Sequence, residues 1–254
     1  MRNTFTFGSL HSEDYGLYIS GNGRIQIPER PYEILQIPGR MGDILLGGNQ
    51  LSNEIITYPA FAAPVGGSYG NYATYEAAIS AFRNDFLSVN GYASLSDTYD
   101  TTHYRKAVFT GPIDIDTTDN LKSGQFSISF NCKPQRFLVG GGTSEAINAG
   151  QSKTFVCTGK RSAPIFTVTG GPGYFYLTFG SGATSGRQTI AQATSGTIID
   201  CERMEIHDGN GNSDSLIVAS TFPQVNKPFK TMETSVTVTA VNVAVVAVWN
   251  WYEI

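Results

Sequence analysis

Cysteine is scarce in this chain. Its three cysteines, Cys132, Cys157 and Cys201, are odd in number and widely spaced. They fit neither a disulfide framework nor a C-x-x-C metal pair. Each lies in an apolar or alternating run, where a thiol behaves as a small hydrophobe, so they are expected as reduced core residues of a protein made in a cytosol. Histidine is equally sparse. His11, His103 and His207 are too scattered for an H-E-x-x-H zinc helix. Long apolar runs are missing: the longest, Val243 to Trp249, spans seven residues, against the ~20 that a membrane-crossing helix needs. The N-terminus, Met1-Arg2-Asn3-Thr4-Phe5, has no apolar core of signal-peptide length, so no Sec export is expected. Charge is low, at 15% of residues, with a net −4, and no basic cluster exceeds Arg105-Lys106 or Lys160-Arg161. A phosphate backbone demands a basic face, so nucleic-acid binding is not expected as the main task.

What is present points to β-structure. The 254 residues include 28 glycines and 11 prolines, with 12% aromatics, a composition of short strands and turns. A chain of this length allows one large domain or two ordinary ones. From Met1 to about Phe137, short apolar runs bounded by Gly, Asn or Pro read as strands: Phe5–Phe7, Leu17–Ile19, Ile25–Ile27, Tyr32–Ile37 (stopped by Pro38-Gly39) and Asn53–Tyr58. Phe126, Ile128, Phe130 and Cys132 alternate with polar residues, the period-two pattern of a half-buried antiparallel strand, predicted to end at Lys133-Pro134. One helix is predicted. Tyr75, Ile79, Phe82 and Phe86 share a face at a period of 3.6, with Thr74 as N-cap and Asn90-Gly91 as stop. This aromatic stripe reads as core packing.

Three consecutive glycines, Gly140-Gly141-Gly142, lose too much backbone entropy to be expected inside an element, so the domain boundary is placed there, giving domains 1–139 and 140–254. The second region carries strands about every ten residues and no helix, which implies a sandwich. Its closing strand, Asn242 to Tyr252, is apolar on both faces, as for a strand central to a sheet.

No chemical motif reaches a full constellation. Gly66-Gly67-Ser68-Tyr69-Gly70 matches the G-x-S-x-G nucleophile elbow. That elbow needs a parallel βαβ sheet and ordered Asp and His partners, and a chain with one predicted helix cannot build the sheet. Asp208-Gly209-Asn210-Gly211-Asn212-Ser213-Asp214 resembles the front of a calcium loop, but Ser213 replaces the glycine and Ala219 the bidentate glutamate. A hairpin connection explains the same residues. Glu202 and Glu205 bracket a strand end and read either as a carboxylate pair or as an exposed strand face, and Gly170-Gly171-Pro172-Gly173 lacks the Gly-Lys-[Ser/Thr] ending of a phosphate cradle. Neither a catalytic residue, a metal nor a cofactor is therefore expected. Tyr174, Tyr176 and Trp251 are candidate carbohydrate contacts, because strand aromatics can stack on sugars, although core or interface packing is the commoner use.

Several segments, taken in order, resemble phage distal tail proteins, the hub proteins of siphophage tail tips. They are Phe5-Thr6-Phe7-Gly8, Ser12-Glu13-Asp14-Tyr15-Gly16-Leu17, Pro28 to Pro31, Ile37-Pro38-Gly39-Arg40-Met41-Gly42-Asp43, Asp97-Thr98-Tyr99-Asp100 with Tyr104-Arg105, Phe126 to Pro134, Pro164-Ile165-Phe166, and Ile198 through Asp208 to Phe222-Pro223. The resemblance implies a mainly β fold: an N-terminal β-rich belt domain with one helix and a C-terminal galectin-like or carbohydrate-module-like β-sandwich. It implies a non-enzymatic, hexameric virion protein at the distal end of a long non-contractile tail, made in the bacterial host cytoplasm. The tail tube protein, the tail-tip hub or tail-associated lysin, and a receptor-binding protein or host-wall carbohydrate are the implied partners, and DNA passes through the lumen without specific binding. The alternative function is a carbohydrate-binding host-adhesion module. A closed ring needs two different complementary patches per subunit. The Ile34 to Asp43 strand and turn is the candidate for one of them, with Ile37, Pro38, Gly39, Arg40, Gly42 and Asp43 as interface residues. Arg40 would supply a rigid fork for a neighbour's carboxylate.

Overall fold

The computed structural model describes residues 2–21, 28–39, 41–46, 51–109, 111, 115–116, 124–156, 161–179, 186–203, 205–212 and 235–253. It divides into two compact units, Met1–Arg136 and Phe137–Glu253.

The first unit begins with β1 (Phe5–Phe7), β2 (Leu10–His11), a 3-10 turn (Ser12–Tyr15) and β3 (Leu17–Ile19). Then come β4 (Glu33–Leu35), β5 (Ile44–Leu46), β6 (Glu54–Ala62), α1 (Tyr75–Ser88), β7 (Ala93–Asp97), β8 (His103–Phe109), β9 (Ile115–Asp116) and β10 (Gly124–Ile147), whose residues from Phe137 onward belong to the second unit. β10 runs antiparallel to β6 over nine residue pairs, from Gly124↔Ala62 to Cys132↔Glu54. Strand order continues from β10 through β8, β7 and β1 to β2, while β3 flanks β6. The sheet curls until its ends meet, for Asn3 bridges Ile19 of β3 and the Ile19 amide donates to the Asn3 carbonyl at 2.9 Å. Inside lie Phe5, Phe7, Tyr58, Ile128 and Phe130, all buried. α1 packs its stripe on them: Phe86 meets Phe5 edge-on at 5.9 Å and stacks with Phe7 at 5.6 Å. The Thr74 hydroxyl caps α1 by accepting from the Ala77 amide. The helix ends through Val89 in extended conformation, two residues before Gly91.

The alternation from Phe126 to Cys132 is as predicted, with Phe126, Ile128, Phe130 and Cys132 buried. The predicted stop at Lys133-Pro134 is not there. β10 continues to Ile147. Its pairing with β6 ends at Cys132, so Pro134 has no amide bond to β6 to lose. The Gly140–Gly142 run lies inside this strand and is not a linker. Gly140 takes φ +70°, and a Cβ on Gly141 would meet Leu138 at 2.7 Å, so the glycines permit an irregularity that a side chain would block.

The second unit adds β11 (Ser152–Val156), β12 (Arg161–Ser162), β13 (Ile165–Val168), β14 (Gly173–Phe179), β15 (Gly186–Ala193), β16 (Ile198–Asp200), β17 (Glu205–His207), β18 (Ser235–Val241) and β19 (Val245–Glu253). One sheet runs β11-β18-β14-β15, and the other contains β17-β16-β13-β19. Their facing residues form one core, with Phe155, Phe175, Leu177, Val236 and Val238 from the first and Phe166, Ile199, Val245, Ala247 and Trp249 from the second. Two sheets over a shared apolar layer make a β-sandwich. Cys132 and Cys201 are buried and free, and Cys157 lies outside the described residues.

Candidate assembly surface

β4 and β5 form a hairpin of their own, a two-stranded sheet with register Glu33↔Leu46, Ile34↔Leu45 and Leu35↔Ile44. Pro38 and Gly39 begin the turn, with Gly39 and Gly42 both at φ +84°, a left-handed conformation that suits glycine. The apolar side chains of this ribbon are exposed, apart from half-buried Ile44. Ile34 (61% exposed) and Leu45 (59%) share one face, while Leu35 (45%) and Leu46 (44%) lie on the other. Met41 at the tip is fully exposed, and Tyr32 and Ile37 are exposed beside it. A hairpin laid on its own domain would bury one of its two faces, and this one buries neither. Such a ribbon is at best marginally stable alone in water, and a contiguous exposed apolar patch marks an interaction site.

Ile37, Pro38, Gly39, Gly42 and Asp43 all sit in this exposed turn, and Arg40 lies outside the described residues. Sequence reading missed β5. Its signal was the Ile44-Leu45-Leu46 triplet directly after the glycine turn.

The three proposed carbohydrate contacts do not come together. Tyr174 and Tyr176 lie on β14, on the face of the first sandwich sheet opposite Phe175 and Leu177. Trp251 is a correction: it is only 8% exposed, sits on β19 in the other sheet, and stacks on buried Trp249 at 5.2 Å and 7°. Its ring faces are spent on the core.

The candidate motifs of chemistry also have structural employment. The Ser68 hydroxyl donates to the Val65 carbonyl at 3.3 Å in a tight turn, not to an imidazole. Gly70, the last glycine of that pattern, sits at φ +59° against the backbone of Glu13 and Asp14. Asp208 accepts from the amides of Asn210 (2.9 Å) and Asn212 (2.8 Å) and from the Asn212 side chain, closing its own loop. Those bonds, led by the Asn212 side chain, hold its carboxyl below the usual range. No group of metal-ligating side chains occurs among the described residues.

Sequence reading also missed the polar interior of the first unit. Buried Glu54 accepts from Arg105 across β10, and burial lowers the Arg105 pKa. Beside them burial pushes the Cys132 thiol up to about 12, against the pull of Arg105. Tyr58 donates to Asp97 at 2.6 Å, and Asp97 also accepts from the amides of Tyr99 and Asp100. Asp100 accepts from the Thr102 hydroxyl (2.7 Å) and from Arg136 (2.6 Å), with the His103 ring at 3.0 Å. Burial alone would raise the Asp100 pKa, but these bonds outweigh it and hold the carboxyl well below the usual range. The Asp97-Thr98-Tyr99-Asp100 segment is thus a self-capped turn between β7 and β8.

With this geometry in place, known proteins can be compared. Residues 10–132 match the family model described as the phage tail protein RIFT-related domain. No curated protein sequence matches the chain. Among solved structures, the Dit protein (gp 19.1) of phage SPP1, described as a paradigm of hub adsorption apparatus in Gram-positive-infecting phages, aligns with TM-score 0.65 at 10% identity over 99% of both chains. A chain of the phage P2 baseplate in its activated conformation with calcium aligns with TM-score 0.47 at 10% identity over 98% of both chains. Residues 10–132 thus resemble a phage tail domain, and the whole chain has the fold of a Dit protein. The resemblance to phage distal tail proteins read from the sequence is borne out.

Proposed function

We propose that this chain is the hub of a long non-contractile phage tail, a homo-hexameric ring at the distal end of the virion that joins the tail tube to the tail-tip apparatus. The observation that carries this reading is the β4–β5 hairpin, whose apolar side chains are exposed on both faces. A neighbour that covers them completes the fold of the ribbon, and repeating a head-to-tail contact by rotation closes a ring. Ile37, Pro38, Gly39, Arg40, Gly42 and Asp43 are the interface residues of that turn. The tube protein and a tail-tip hub or lysin meet the two ring faces, a receptor-binding protein docks at the periphery, and DNA crosses the lumen. The tail-domain match and the Dit fold support this reading. The acidic balance of the chain agrees with a lumen that does not retain DNA. A protein with this role performs no catalysis.

The test is mass photometry with negative-stain microscopy of the full chain. Rings of about six subunits are expected. Ile34→Asp with Leu45→Asp should abolish them while leaving a folded monomer, since both side chains are exposed. A purely monomeric native protein at high concentration refutes the ring.

A second reading, host-carbohydrate adhesion, keeps one supporting observation. The face carrying Tyr174 and Tyr176 also presents paired hydroxyls, Ser152 with Thr239 and Thr154 with Thr237, each at 2.8 Å. Glycan-array binding that vanishes on Tyr174→Ala with Tyr176→Ala would support it, and an empty array would dismiss it.

A further inference from the structure

Asparagine is followed by glycine at Asn22-Gly23, Asn90-Gly91 and Asn210-Gly211. An asparagine side chain lies within reach of the backbone that follows it. Glycine, lacking Cβ, lets another atom approach that backbone closely, which makes the pair thermolabile. Asn22 lies outside the described residues. The other two pairs are locally alike. Asn90 and Asn210 are both exposed, both glycines take a left-handed φ (+77° at Gly91, +84° at Gly211), and a Cβ on either glycine would meet nothing within 4 Å. They differ in hydrogen bonding. The Gly211 amide donates to the Asp208 carbonyl at 3.0 Å, and the Asp208 carboxylate accepts from the amides of Asn210 (2.9 Å) and Asn212 (2.8 Å). The Gly211 nitrogen is thus tied down. Gly91 follows the end of α1, and among the described residues neither its amide nor the Asn90 side chain has a hydrogen-bond partner. Val89, before the pair, packs against the core, and Tyr92, after it, accepts from Asn53 at 2.8 Å. The unbonded stretch is the reactive pair itself.

We propose that Asn90-Gly91 is a self-modification site of the folded protein, at which the Asn90 side chain loses ammonia, while Asn210-Gly211 is protected by the bonds of its own loop. In the first step the Gly91 amide nitrogen attacks Cγ of Asn90. The N–Cγ bond forms and the Cγ–Nδ2 bond breaks. Nδ2 leaves as ammonia, taking up the proton that the Gly91 amide gives up. A cyclic imide remains. Water then adds to one of its two carbonyl carbons, one imide C–N bond breaks, and the nitrogen recovers a proton. Addition at Cγ restores the ordinary main chain with an aspartyl side chain. Addition at the main-chain carbonyl carbon gives an isoaspartyl residue, with the chain running through Cβ. One water is consumed and one ammonia released, with no change of oxidation state. Either product adds a carboxylate beyond the C-terminal end of α1, whose last turn holds no basic residue to offset it. The isoaspartyl product also lengthens the connection between Phe86 and Leu95, both buried in the core of the first unit. Modification loosens the last turn of α1.

The experiment incubates the folded full chain in mildly alkaline buffer and follows each asparagine by peptide mapping, with fragmentation that separates aspartyl from isoaspartyl products. A synthetic peptide spanning Ser88 to Ala93 gives the rate without a fold. Conversion at Asn90 should outpace that at Asn210 at least about tenfold, because the Asn210 loop must first break a charge-assisted bond to free its nitrogen. Asp208→Ala removes the protecting carboxylate. It should raise the Asn210 rate by a similar factor while the circular dichroism stays unchanged, since the loop is exposed. In the converted protein, hydrogen exchange should quicken in the last turn of α1. Equal rates at the two sites overturn the proposal, as does faster conversion at Asn210. An Asn90 amide that persists while the peptide converts overturns it too, and so does a folded Asp208→Ala protein in which Asn210 is no more labile.

Discussion

The G-x-S-x-G segment sets two readings against each other on neighbouring residues, and stability measurements separate them. Were Ser68 a nucleophile, Ser68→Ala would be the change that matters. The structure gives that role to Gly70. Gly70 sits at φ +59°, and a Cβ there would lie inside van der Waals contact of the Asp14 and Glu13 carbonyls. Gly16, across the contact, is equally constrained: its Cβ would meet the Tyr69 backbone at 2.8 Å. The two backbones are tied by the Asn71 amide donating to the Asp14 carbonyl at 2.8 Å and the Ala63 amide to the Gly16 carbonyl at 3.0 Å. For Gly70→Ala, the left-handed conformation costs ~1–2 kcal/mol. Forcing the backbones apart costs ~1–3 kcal/mol, and a hydrogen bond lost in the process costs about 1 kcal/mol. A loss of roughly 3 kcal/mol or more follows, a large part of an ordinary domain's stability. Ser68→Ala removes one 3.3 Å bond at a turn and should stay within about 0.5 kcal/mol. Urea unfolding followed by circular dichroism measures both, and hydrogen exchange should place the Gly70→Ala loss in residues 5–132. A Gly70→Ala protein as stable as the native one refutes the packing argument, and hydrolysis that disappears with Ser68→Ala would restore the enzyme reading.

Trp251→Ala should cost ~3–5 kcal/mol in the sandwich, as for any buried tryptophan, and should lower the melting temperature whatever sugar is present. A folded, fully stable variant contradicts its place in the core. Cys132 and Cys201, both pushed up to about 12 by burial, should resist alkylation at pH 8 until urea is added, as read by peptide mapping; rapid labelling of either in the native protein would be inconsistent with the fold. Asp100 has a folded pKa below its unfolded value, so it stabilises the fold above about pH 4 and loses that contribution as pH falls through the folded pKa. Asp100→Asn should therefore be less stable than the native chain at pH 7, with the gap narrowing at acid pH. A gap that is constant from pH 7 to pH 3 would show that the carboxylate's charge is not what matters.

Local periodicity carried much of this fold. The 3.6-residue stripe of α1 and the two-residue stripe of Phe126–Cys132 were legible because each buries one face of a regular element. Punctuation misled where pairing overrode it. Pro134 and Gly140–Gly142 read as ends, yet β10 passes through both. Trp251 was misjudged because sequence shows which strand face a residue shares but not whether that face points inward. The hairpin turn was legible from Pro38-Gly39, while β5, at three residues, was too short for a period to show. The Glu54–Arg105 pair, 51 residues apart, leaves no local trace at all.

Within the first unit, ionisable side chains are engaged with one another and with the backbone. Asp97, Asp100, His103, Arg105, Arg136 and Glu54 are the residue types from which active sites are built, and here they are bonded mainly to one another or to backbone amides. A carboxylate already accepting from two amides and a tyrosine, as Asp97 does, is engaged in holding a turn in place. Breaking a buried pair such as Glu54–Arg105 by removing one partner typically costs 3–5 kcal/mol, which gives these residues a structural reason to be present without any substrate. The outward surface shows the converse. On the β4–β5 ribbon and the outward face of β6, apolar side chains such as Ile34, Leu45 and Ile55 stand in water. Covering such side chains lowers free energy with no bond made or broken, which is the contribution that the proposed ring contact draws on.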